Sequence, residues 1–497
     1  MQPTPHYDAL AATYHRLYHF GHLQSIAGWD QAANMPPKGN EARAAAMSEL
    51  AALMHRMRTD PALQAQLERA GQEPLTEAQR ANLREIRRDW TSVNALPESL
   101  VTRGQMAGAR CEHAWRAQRQ ANDWTGFLGN FREVLAIARE EAQLLSAQTG
   151  LSRYDALMDR FEPGMTTERV DRIFGDLRGW LPGLIRQVQE RQSHAPAVDP
   201  VGPFAVEAQR ALCERVMRML GFDFEGGRLD VSTHPFCGGV PEDVRMTTRF
   251  RESDFLGSLM GTIHETGHGR YEQNLPRELL GQPVANARSM ALHESQSLSF
   301  EMQLGSHPGF VARLSPMLAE AFGDQPAFAP GNLQRLLTRV KPGLIRVDAD
   351  EVTYPAHIIL RYEIERALIE GQAEAEDIPA LWDARMMELL GRDTRGNFTD
   401  GPLQDVHWPG GAFGYFPCYT LGAMYAAQWF AAIRRAVPGL DARIAAGDLA
   451  PVFDWLRENI WSQASRWTTD ELALRASGEV LNPAHFKAHL EARYLGG

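Results

Sequence analysis

Apolar residues recur at three- and four-residue spacing through most of the first two hundred residues, and this periodicity restricts the possible folds more than any other feature. The segments 77–89, 123–148, 167–191 and 212–220 show it most clearly and are rich in Ala, Leu, Glu, Arg and Gln. Those residue types have high helix propensities, and the spacing places the apolar ones on one face of an α-helix. The sequence therefore predicts a mostly α-helical protein.

Two local signals refine where these helices begin and end. Asp123 is a good N-cap residue, whereas Thr166 is followed three residues later by Arg169 rather than by Glu and makes an imperfect cap. The segment 193–204, SHAPAVDPVGPF, holds three prolines and interrupts the helical pattern. This segment fits either a linker between domains or a surface loop within one large domain.

The character of the sequence changes between residues 228 and 250. The stretches LDVSTHPFCGG and VRMTTRF contain β-branched and aromatic residues, with a Gly-Gly pair between them. Such composition favours strands, so we predict two short strands that form a hairpin or the edge of a small sheet. Helices return after Phe250 and continue almost to the end, with breaks near Gly323 and Trp408.

Charge and composition exclude several classes of protein. The 497 residues include 51 Lys and Arg against 62 Asp and Glu, a net charge of −11, which argues against a nucleic-acid partner. No stretch approaches the roughly 20 apolar residues of a membrane span, and the first residues show no secretory pattern. We therefore expect a cytoplasmic protein with no membrane partner. Length alone suggests about three domains.

Cysteine is too scarce to dominate a metal site. The four cysteines, Cys111, Cys213, Cys237 and Cys418, form no CxxC pair, and their spacings match no zinc ribbon or disulfide framework. Four reduced thiols are the simplest interpretation. Any metal bound by this chain must therefore rest mainly on His and carboxylate ligands.

The sequence His264-Glu265-Thr266-Gly267-His268 lies in a segment whose apolar residues form one stripe, which predicts a buried helix. Residues four apart share a helix face, so both imidazoles can reach one metal ion. Glu265, about 100° around the helix, can reach a water molecule on the same ion. Zinc-dependent hydrolysis needs this arrangement, in which a carboxylate deprotonates the bound water. The small Gly267 leaves room for substrate or for a partner helix.

A third ligand distinguishes a catalytic metal site from two ordinary core histidines bonded to backbone carbonyls. A third His six residues after His268 is excluded, because that position is Asn274. Glu294 lies 26 residues after His268 in the apolar segment SMALHESQSLSFEMQL, where a buried carboxylate needs a partner. Glu301 is the second candidate, and Glu278 is too close in sequence to return. Three protein ligands with an open position are typical of catalytic zinc sites.

With these motifs the chain resembles the carboxypeptidase Taq family of metallocarboxypeptidases over nearly its whole length. Short motifs in a characteristic order carry the resemblance: GWD at 28–30 with MP at 35–36, YDAL at 154–157 with EPGMT at 162–166, HPF at 234–236, DVRMT at 243–247, HETGH at 264–268, HESQ at 293–296, IR at 345–346 with AD at 349–350, and G at 401 with QD at 404–405 and HW at 407–408. Each motif alone is weak evidence, whereas their order and spacing together are specific.

The resemblance implies a large, mostly helical, neurolysin-like protein with a deep active-site groove and a small β-sheet or hairpin. It implies the removal of single residues from peptide C-termini with zinc, for which cobalt can substitute, and it implies a homodimer. His264, His268 and Glu294 would bind the metal. Glu265 would be the general base, and Arg346 would bind the free C-terminal carboxylate of the substrate.

The glycine-rich aromatic segment QDVHWPGGAFGYFPCYTLG is a candidate source of donors to the oxyanion that forms during peptide hydrolysis. Related zinc peptidases place a His, and a Tyr about a dozen residues later, against the oxyanion, and His407 with Tyr419 has that spacing. Tyr415 is an alternate donor or a substrate contact. An aromatic core patch with glycines at tight turns is the structural alternative.

Arg346 suits the recognition of a chain end, because a guanidinium forks onto a carboxylate with two parallel hydrogen bonds. A solvated surface ion pair with the acidic residues that follow it is the alternative.

The VRMTTRF strand can receive the substrate backbone as an added strand, with His234 and Arg245 nearby. Pro355 departs from the family pattern, and we expect it to disturb the local geometry after Tyr354.

The metal ligands, carboxylate anchor and oxyanion donors span His264 to Tyr419, so we expect one catalytic peptidase domain over residues 1–497. Residues 1–200 would form one wall of the groove, and residues 201–497 would carry the metal site. The predicted function is zinc-dependent release of single C-terminal residues from peptides by metal-activated water. A zinc oligopeptidase or endopeptidase with the same site is one alternative, and a helical scaffold with a structural metal or none is another.

Overall fold

The computed structural model describes residues 3–233 and 235–496, and within these ranges the chain is mostly helical. The α-helices are α1 Pro5–Ala33, α2 Asn40–Arg58, α3 Ala62–Ala70, α4 Glu77–Asn94, α5 Glu98–Gln120, α6 Trp124–Thr149, α7 Arg153–Met158, α8 Thr167–Ser193, α9 Val206–Met219, α10 Phe255–Gln273, α11 Met290–Leu298, α12 Pro308–Phe322, α13 Pro330–Leu337, α14 Tyr354–Ile369, α15 Ile378–Leu390, α16 Pro417–Ala436, α17 Leu440–Ala446, α18 Ala450–Asn459, α19 Thr469–Ser477 and α20 Ala484–Leu495. A π-helical segment, Ser299–Gly305, follows α11 directly.

The helices agree with the sequence prediction in position and in capping. Helix α4 extends five residues beyond the predicted segment 77–89, and α9 begins six residues before the predicted segment 212–220. The Asp123 side chain accepts a hydrogen bond from Gly126 N at 2.8 Å, whereas Thr166 makes no side-chain cap. The expected disturbance at Pro355 is wrong: it lies in the first turn of α14, where a missing N–H costs nothing.

The small sheet has three strands rather than the two that the sequence predicted. The strands are β1 Gly227–Val231, β2 Cys237–Val240 and β3 Asp243–Thr248. Strands β2 and β3 form the expected antiparallel hairpin, and β1 pairs in parallel with the other edge of β3, so the strand order is β1-β3-β2. The first predicted strand segment therefore splits into two, and β3 lies in the middle of the sheet.

Two hydrophobic clusters form the interior. The main cluster contains buried residues from 100 to 494, on both sides of the proline-rich segment 193–204. Val198 and Val201 in that segment are 55% and 74% exposed. A smaller cluster, separate from the main one, is formed by residues of α1–α4 and the turn before α4, with Leu10 and Ile86 fully buried. No helix of the described residues is long and apolar enough to cross a membrane.

Two glycines let three helices approach one another closely at the centre of the main cluster. A Cβ atom on Gly267 of α10 would lie 2.5 Å from the carbonyl oxygen of Gln296 and 2.6 Å from Cα of Ser297, both on α11. A Cβ atom on Gly422 of α16 would lie 2.5 Å from Cβ of Glu294. Helix α11 is thus held between two backbones, and Gly267 makes room for a partner helix, as one of the two sequence alternatives proposed.

Candidate metal centre

Helix α10 carries the HExxH sequence and is fixed at its start and along one side. The Asp254 side chain caps it by accepting a hydrogen bond from Gly257 N at 3.1 Å. Phe255, Leu259 and Ile263 are buried at spacings of four residues and anchor the helix in the main cluster. Because those anchors fix its rotation, the histidines four residues apart present both imidazoles to the same space.

The side chains of His264, His268 and Glu294 converge on one point. Their candidate ligand atoms all lie within 4.8 Å of one another, and Glu294 Oε2 is 3.8 Å from Nε2 of His264 and 3.9 Å from Nε2 of His268. Tetrahedral zinc with bonds of about 2.0–2.1 Å separates its ligand atoms by roughly 3.3 Å. The two distances from Glu294 exceed this separation by roughly half an ångström, so the three side chains fit such an ion after a modest contraction.

The second candidate ligand, Glu301, lies behind His264 instead of joining this group. Its Oε2 is 2.7 Å from Nδ1 of His264, on the opposite side of the ring from Nε2. The π-helical segment Ser299–Gly305 carries Glu301 to this position. Such outer partners fix the ring orientation and the tautomer of a metal-binding imidazole. Glu301 therefore supports the imidazole of His264 and lies outside the converging group.

His268 is supported through a second imidazole. Its Nδ1 is 2.6 Å from Nδ1 of His293, and Nε2 of His293 is 2.8 Å from Glu272 Oε1. If Nε2 of His268 faces a metal, Nδ1 carries the proton and donates to His293, which in turn donates from Nε2 to the Glu272 carboxylate. Sequence reasoning assigned no role to His293 or Glu272, although His293 stands directly before Glu294.

Glu265 lies beside the two histidines and is 9% exposed. Burial raises the pKa of Glu265 to about 7, while the neighbouring His264 lowers it and the Glu294 carboxylate raises it further. A carboxylate with a pKa near neutrality is suited to both accepting and donating a proton at the pH of a cell. A nearby cation would lower this pKa by favouring the charged form.

The aromatic loop contacts the candidate metal ligand Glu294 through Tyr415. Its hydroxyl donates a hydrogen bond to Glu294 Oε1 at 3.2 Å. The Tyr419 ring lies 5.0 Å from the Tyr415 ring between centroids, and the His407 ring lies 6.3 Å from it. Burial lowers the pKa of His407 to about 4, so the imidazole is neutral at pH 7. The structure thus brings these three predicted residues together beside Glu294.

Arg346 is buried, at 6% exposure, so the alternative of a solvated surface ion pair is wrong. Its Nε and Nη2 donate to the two oxygens of Asp405 at 3.1 and 2.8 Å, and its Nη1 donates to the Tyr354 hydroxyl at 2.9 Å. The guanidinium lies 5.1 Å from the Tyr419 ring centroid. The guanidinium has five N–H bonds, and two of them, one on Nη1 and one on Nη2, have no acceptor among the described residues. The sequence pattern did not single out Asp405 as the partner.

The strand assigned to the substrate backbone is not available for it. Strand β3 pairs with β1 on one side and β2 on the other, so it has no free edge, and the prediction of an added strand there is wrong. Arg245 on β3 is paired with Asp243 at 2.5 Å and lies over the Trp29 ring. Its substrate contact stays a prediction. His234 lies outside the described residues.

A helix-borne HExxH sequence, a glutamate from the next helix and a buried arginine nearby define a metal-dependent peptidase of the two-histidine, one-glutamate class. The chain belongs to the carboxypeptidase Taq (M32) metallopeptidase family, whose family model matches residues 9–494. It is a metallocarboxypeptidase, which confirms the predicted activity.

Relatives and solved structures agree along almost the whole chain. Thermostable carboxypeptidase 1 of Thermus thermophilus is 37% identical, with 99% of each chain covered. The solved structure of Trypanosoma cruzi metallocarboxypeptidase 1 is 48% identical and superposes with a TM-score of 0.97, covering 99% of this chain and 100% of that one. The M32 carboxypeptidase of Deinococcus radiodurans R1 is 33% identical, with 98% of each chain covered and a TM-score of 0.92. These structures confirm the mostly helical fold.

Proposed function

We propose that this metallocarboxypeptidase uses one zinc ion per chain, held by Nε2 of His264, Nε2 of His268 and an oxygen of Glu294. The convergence of these three ligand atoms within 4.8 Å carries the proposal. Two imidazoles and one carboxylate are the donors of catalytic zinc sites, whereas structural zinc sites favour cysteine. Cobalt is expected to substitute, since it accepts the same donor types.

Glu265 acts as the general base. A zinc ion held by His264, His268 and Glu294 would acidify water and polarise the scissile carbonyl, which is the chemistry that peptide hydrolysis at neutral pH requires. The Glu265 carboxylate accepts a proton from the attacking water and returns it to the leaving amine nitrogen. The position of this buried carboxyl beside the two histidines, within reach of a water molecule on the same ion, supports both roles.

His407 and Tyr419 donate hydrogen bonds to the oxyanion. The neutral state of His407 leaves one ring nitrogen as an N–H donor, and its Nδ1 has no hydrogen-bond partner among the described residues. The Tyr419 hydroxyl makes no hydrogen bond within the described part of the chain, whereas Tyr415 already donates to Glu294. Tyr419 is therefore the better oxyanion donor, and Tyr415 is better suited to orienting the metal ligand.

Arg346 binds the free C-terminal carboxylate of the peptide. Asp405 holds one edge of the guanidinium, and Tyr354 bonds to Nη1, which leaves N–H bonds on both terminal nitrogens for a ligand. A buried guanidinium bound to a single carboxylate through Nε and Nη2 is fixed in orientation before substrate arrives. This preorganisation explains selectivity for a chain end over an internal peptide bond.

The organisation of the molecule is part of the proposal. Residues 1–497 form one catalytic domain, in which residues up to about 200 form one wall of the groove and residues 201–497 carry the metal site. The main hydrophobic cluster supports this, because it includes residues from both parts. We further propose a homodimer in the cytoplasm. Size-exclusion chromatography with light scattering tests the dimer, and cell fractionation tests the compartment.

A chelation and restoration experiment tests the proposed metal. The purified protein, dialysed against a chelator, should lose the release of single C-terminal residues from a mixed peptide pool read by mass spectrometry. One equivalent of zinc per chain should restore that release, and cobalt should restore it in part or in full. Restoration that needs two or more equivalents, or that fails with zinc, would contradict the proposal.

A further inference from the structure

A cavity of about 620 Å³ lies between α4 on one side and α6, α7 and the segment 159–164 on the other. None of the residues proposed above to bind the metal or the substrate lines it. The segment 159–164 separates it from the metal centre, since the Phe161 ring contacts Tyr415 at 5.2 Å between centroids. The cavity is therefore a separate feature, and its lining has an unusual charge.

Four arginines of α4 line this cavity: Arg80, Arg84, Arg87 and Arg88. Their spacings of four, seven and eight residues place them on one face of the helix. Like charges four residues apart destabilise a helix by roughly 0.2–0.5 kcal/mol per pair. Arg80 and Arg87 are exposed, and the side chains of Arg84 and Arg88 are 37% and 39% exposed, so the row concentrates positive charge in a cavity that is open to solvent. Here the row is called the arginine stripe.

The lining of the cavity holds fewer carboxylates than arginines. Glu85 is shared by three guanidiniums: its Oε1 accepts from Arg84 Nε at 2.7 Å and from Arg288 Nη1 at 2.6 Å, and its Oε2 accepts from Arg88 Nε at 3.3 Å. The two other carboxylates in the lining also bind backbone N–H groups, Glu73 at the start of α1 and Asp159 at Gly164. Six arginines line the cavity against these three carboxylates; one of the six, Arg160, also pairs with Glu141 outside the lining.

Arg288 completes the cationic lining from the side of the metal centre. It is 6% exposed, and its Nε has no hydrogen-bond partner among the described residues. A buried guanidinium N–H without an acceptor costs free energy that a bound anion would recover. Burial also lowers the pKa of Arg288; Glu85 opposes this effect, and Arg84 and Arg88 add to it.

We propose that this cavity binds a nucleoside phosphate, with the phosphate chain on the arginine stripe and Arg288. Guanidinium forks match phosphate oxygens in geometry as well as in charge. The volume lies within the range of small-molecule sites. Leu75, Leu83, Leu145 and Pro163 line the same cavity and supply an apolar wall for a base or a sugar.

Equilibrium dialysis of the metal-loaded enzyme against radiolabelled ATP tests the proposal. We expect saturable binding of one ATP per chain, competition by pyrophosphate and no competition by adenosine. Removal of the metal with a chelator should leave the binding intact, which separates the cavity from the metal centre. Absence of saturable binding at millimolar ATP, competition by adenosine but not by pyrophosphate, or loss of binding with the metal would overturn the proposal.

A matched pair of double variants tests the location. Arg80 and Arg87 donate only to backbone carbonyls of Leu75 and Leu67, so Arg80→Gln with Arg87→Gln removes two stripe charges without breaking the Glu85 ion pairs. This variant should bind ATP at least tenfold more weakly. The control, Arg16→Gln with Arg186→Gln, removes two exposed charges elsewhere and should change binding by less than twofold.

Both double variants should keep wild-type carboxypeptidase activity, which verifies that they fold. Should the Arg80/Arg87 variant fail that check, each single substitution replaces it, with an expected weakening of at least threefold. Equal weakening in the stripe variant and in the control would identify the binding as diffuse electrostatic attraction and would overturn the proposal.

Discussion

The candidate active site has two halves that differ in how their polar atoms are used. The helix half consists of His264, Glu265 and His268 on α10 with Glu294 on α11, and the loop half consists of Arg346, His407, Tyr415 and Tyr419. In the helix half the ring nitrogens turned away from the convergence point are already bonded, to Glu301 and to His293. In the loop half His407 Nδ1, the Tyr419 hydroxyl and two N–H bonds of Arg346 lack acceptors among the described residues.

This difference agrees with the roles proposed for the two halves. A site for a cation must have its ligand atoms oriented before the ion binds. In the helix half, hydrogen bonds to the outer side of the imidazoles and the close helix packing at Gly267 and Gly422 provide this orientation. A site for a peptide end must keep donors free until substrate arrives, so the loop half retains unused donors next to fixed aromatic rings. Substitutions in the two halves should therefore fail in different ways, and the following predictions separate them.

The largest effect is expected in the helix half, at the general base. Glu265→Gln should lower kcat about 10³-fold, because general acid–base catalysis contributes roughly 10²–10⁴-fold, while the bound metal stays at one per chain. Peptide release assays and atomic absorption measure the two quantities. Glu168→Gln, an exposed carboxylate on α8, is the matched control and should leave both unchanged. Loss of metal together with activity would show that Glu265 is structural.

The next largest effect is expected in the loop half, at the chain-end anchor. Arg346→Ala should lower kcat/KM for peptides with a free C-terminus about 10²-fold, since hydrogen bonds to charged groups contribute roughly 1.5–3 kcal/mol. Arg361 still pairs with Asp405, so the carboxylate does not become isolated. Metal content should be unchanged. An equal loss for C-terminally amidated peptides would contradict the role of Arg346 in binding the carboxylate.

The close packing of α10 on α11 at Gly267 can be tested by measuring the free energy of unfolding. Gly267→Ala should destabilise the protein by about 2 kcal/mol and weaken metal binding, because its Cβ would lie 2.5 Å from the Gln296 carbonyl oxygen. Gly261→Ala on the same helix is the matched control: nothing lies within 4 Å of its Cβ, and alanine favours the helix by up to ~1 kcal/mol. Chemical denaturation measures both, and equal effects would contradict the account.

The smallest effects are expected for the two tyrosines. Substitution of one should affect kcat, and substitution of the other should affect metal binding. Tyr419→Phe should lower kcat about tenfold with metal affinity unchanged, because it removes one oxyanion donor. Tyr415→Phe removes the hydrogen bond to Glu294 and should mainly weaken metal binding in a chelator competition. The reverse pattern would exchange the roles of the two residues.

The helix half could be predicted from sequence because its information is local. Two histidines four residues apart must share a helix face, and a glutamate in an apolar stretch needs a partner. The residue pattern favoured Glu294 as the third ligand but left Glu301 as a second candidate. The π-helical segment that turns Glu301 toward the back of His264 has no signal in the residue pattern.

In the loop half, the residues adjacent in sequence did not predict the contacts. Arg346 stands next to Asp348, Asp350 and Glu351, which suggested a surface ion pair, yet its partner is Asp405, 59 residues away. The sheet gave a similar result. Composition identified the strand region, but the order that places β3 in the middle depends on β1, whose pairing is set by tertiary contacts. Long-range partners of this kind follow from packing and not from spacing.

The central claim is that Glu294, with His264 and His268, holds the metal, while Glu301 only supports His264. Metal content per chain, measured by atomic absorption for Glu294→Gln and Glu301→Gln after identical loading with zinc, tests it most directly. The account predicts that Glu294→Gln binds well below one zinc per chain and that Glu301→Gln still binds one, with weaker affinity. Full zinc content in Glu294→Gln, or its loss in Glu301→Gln alone, would contradict the account.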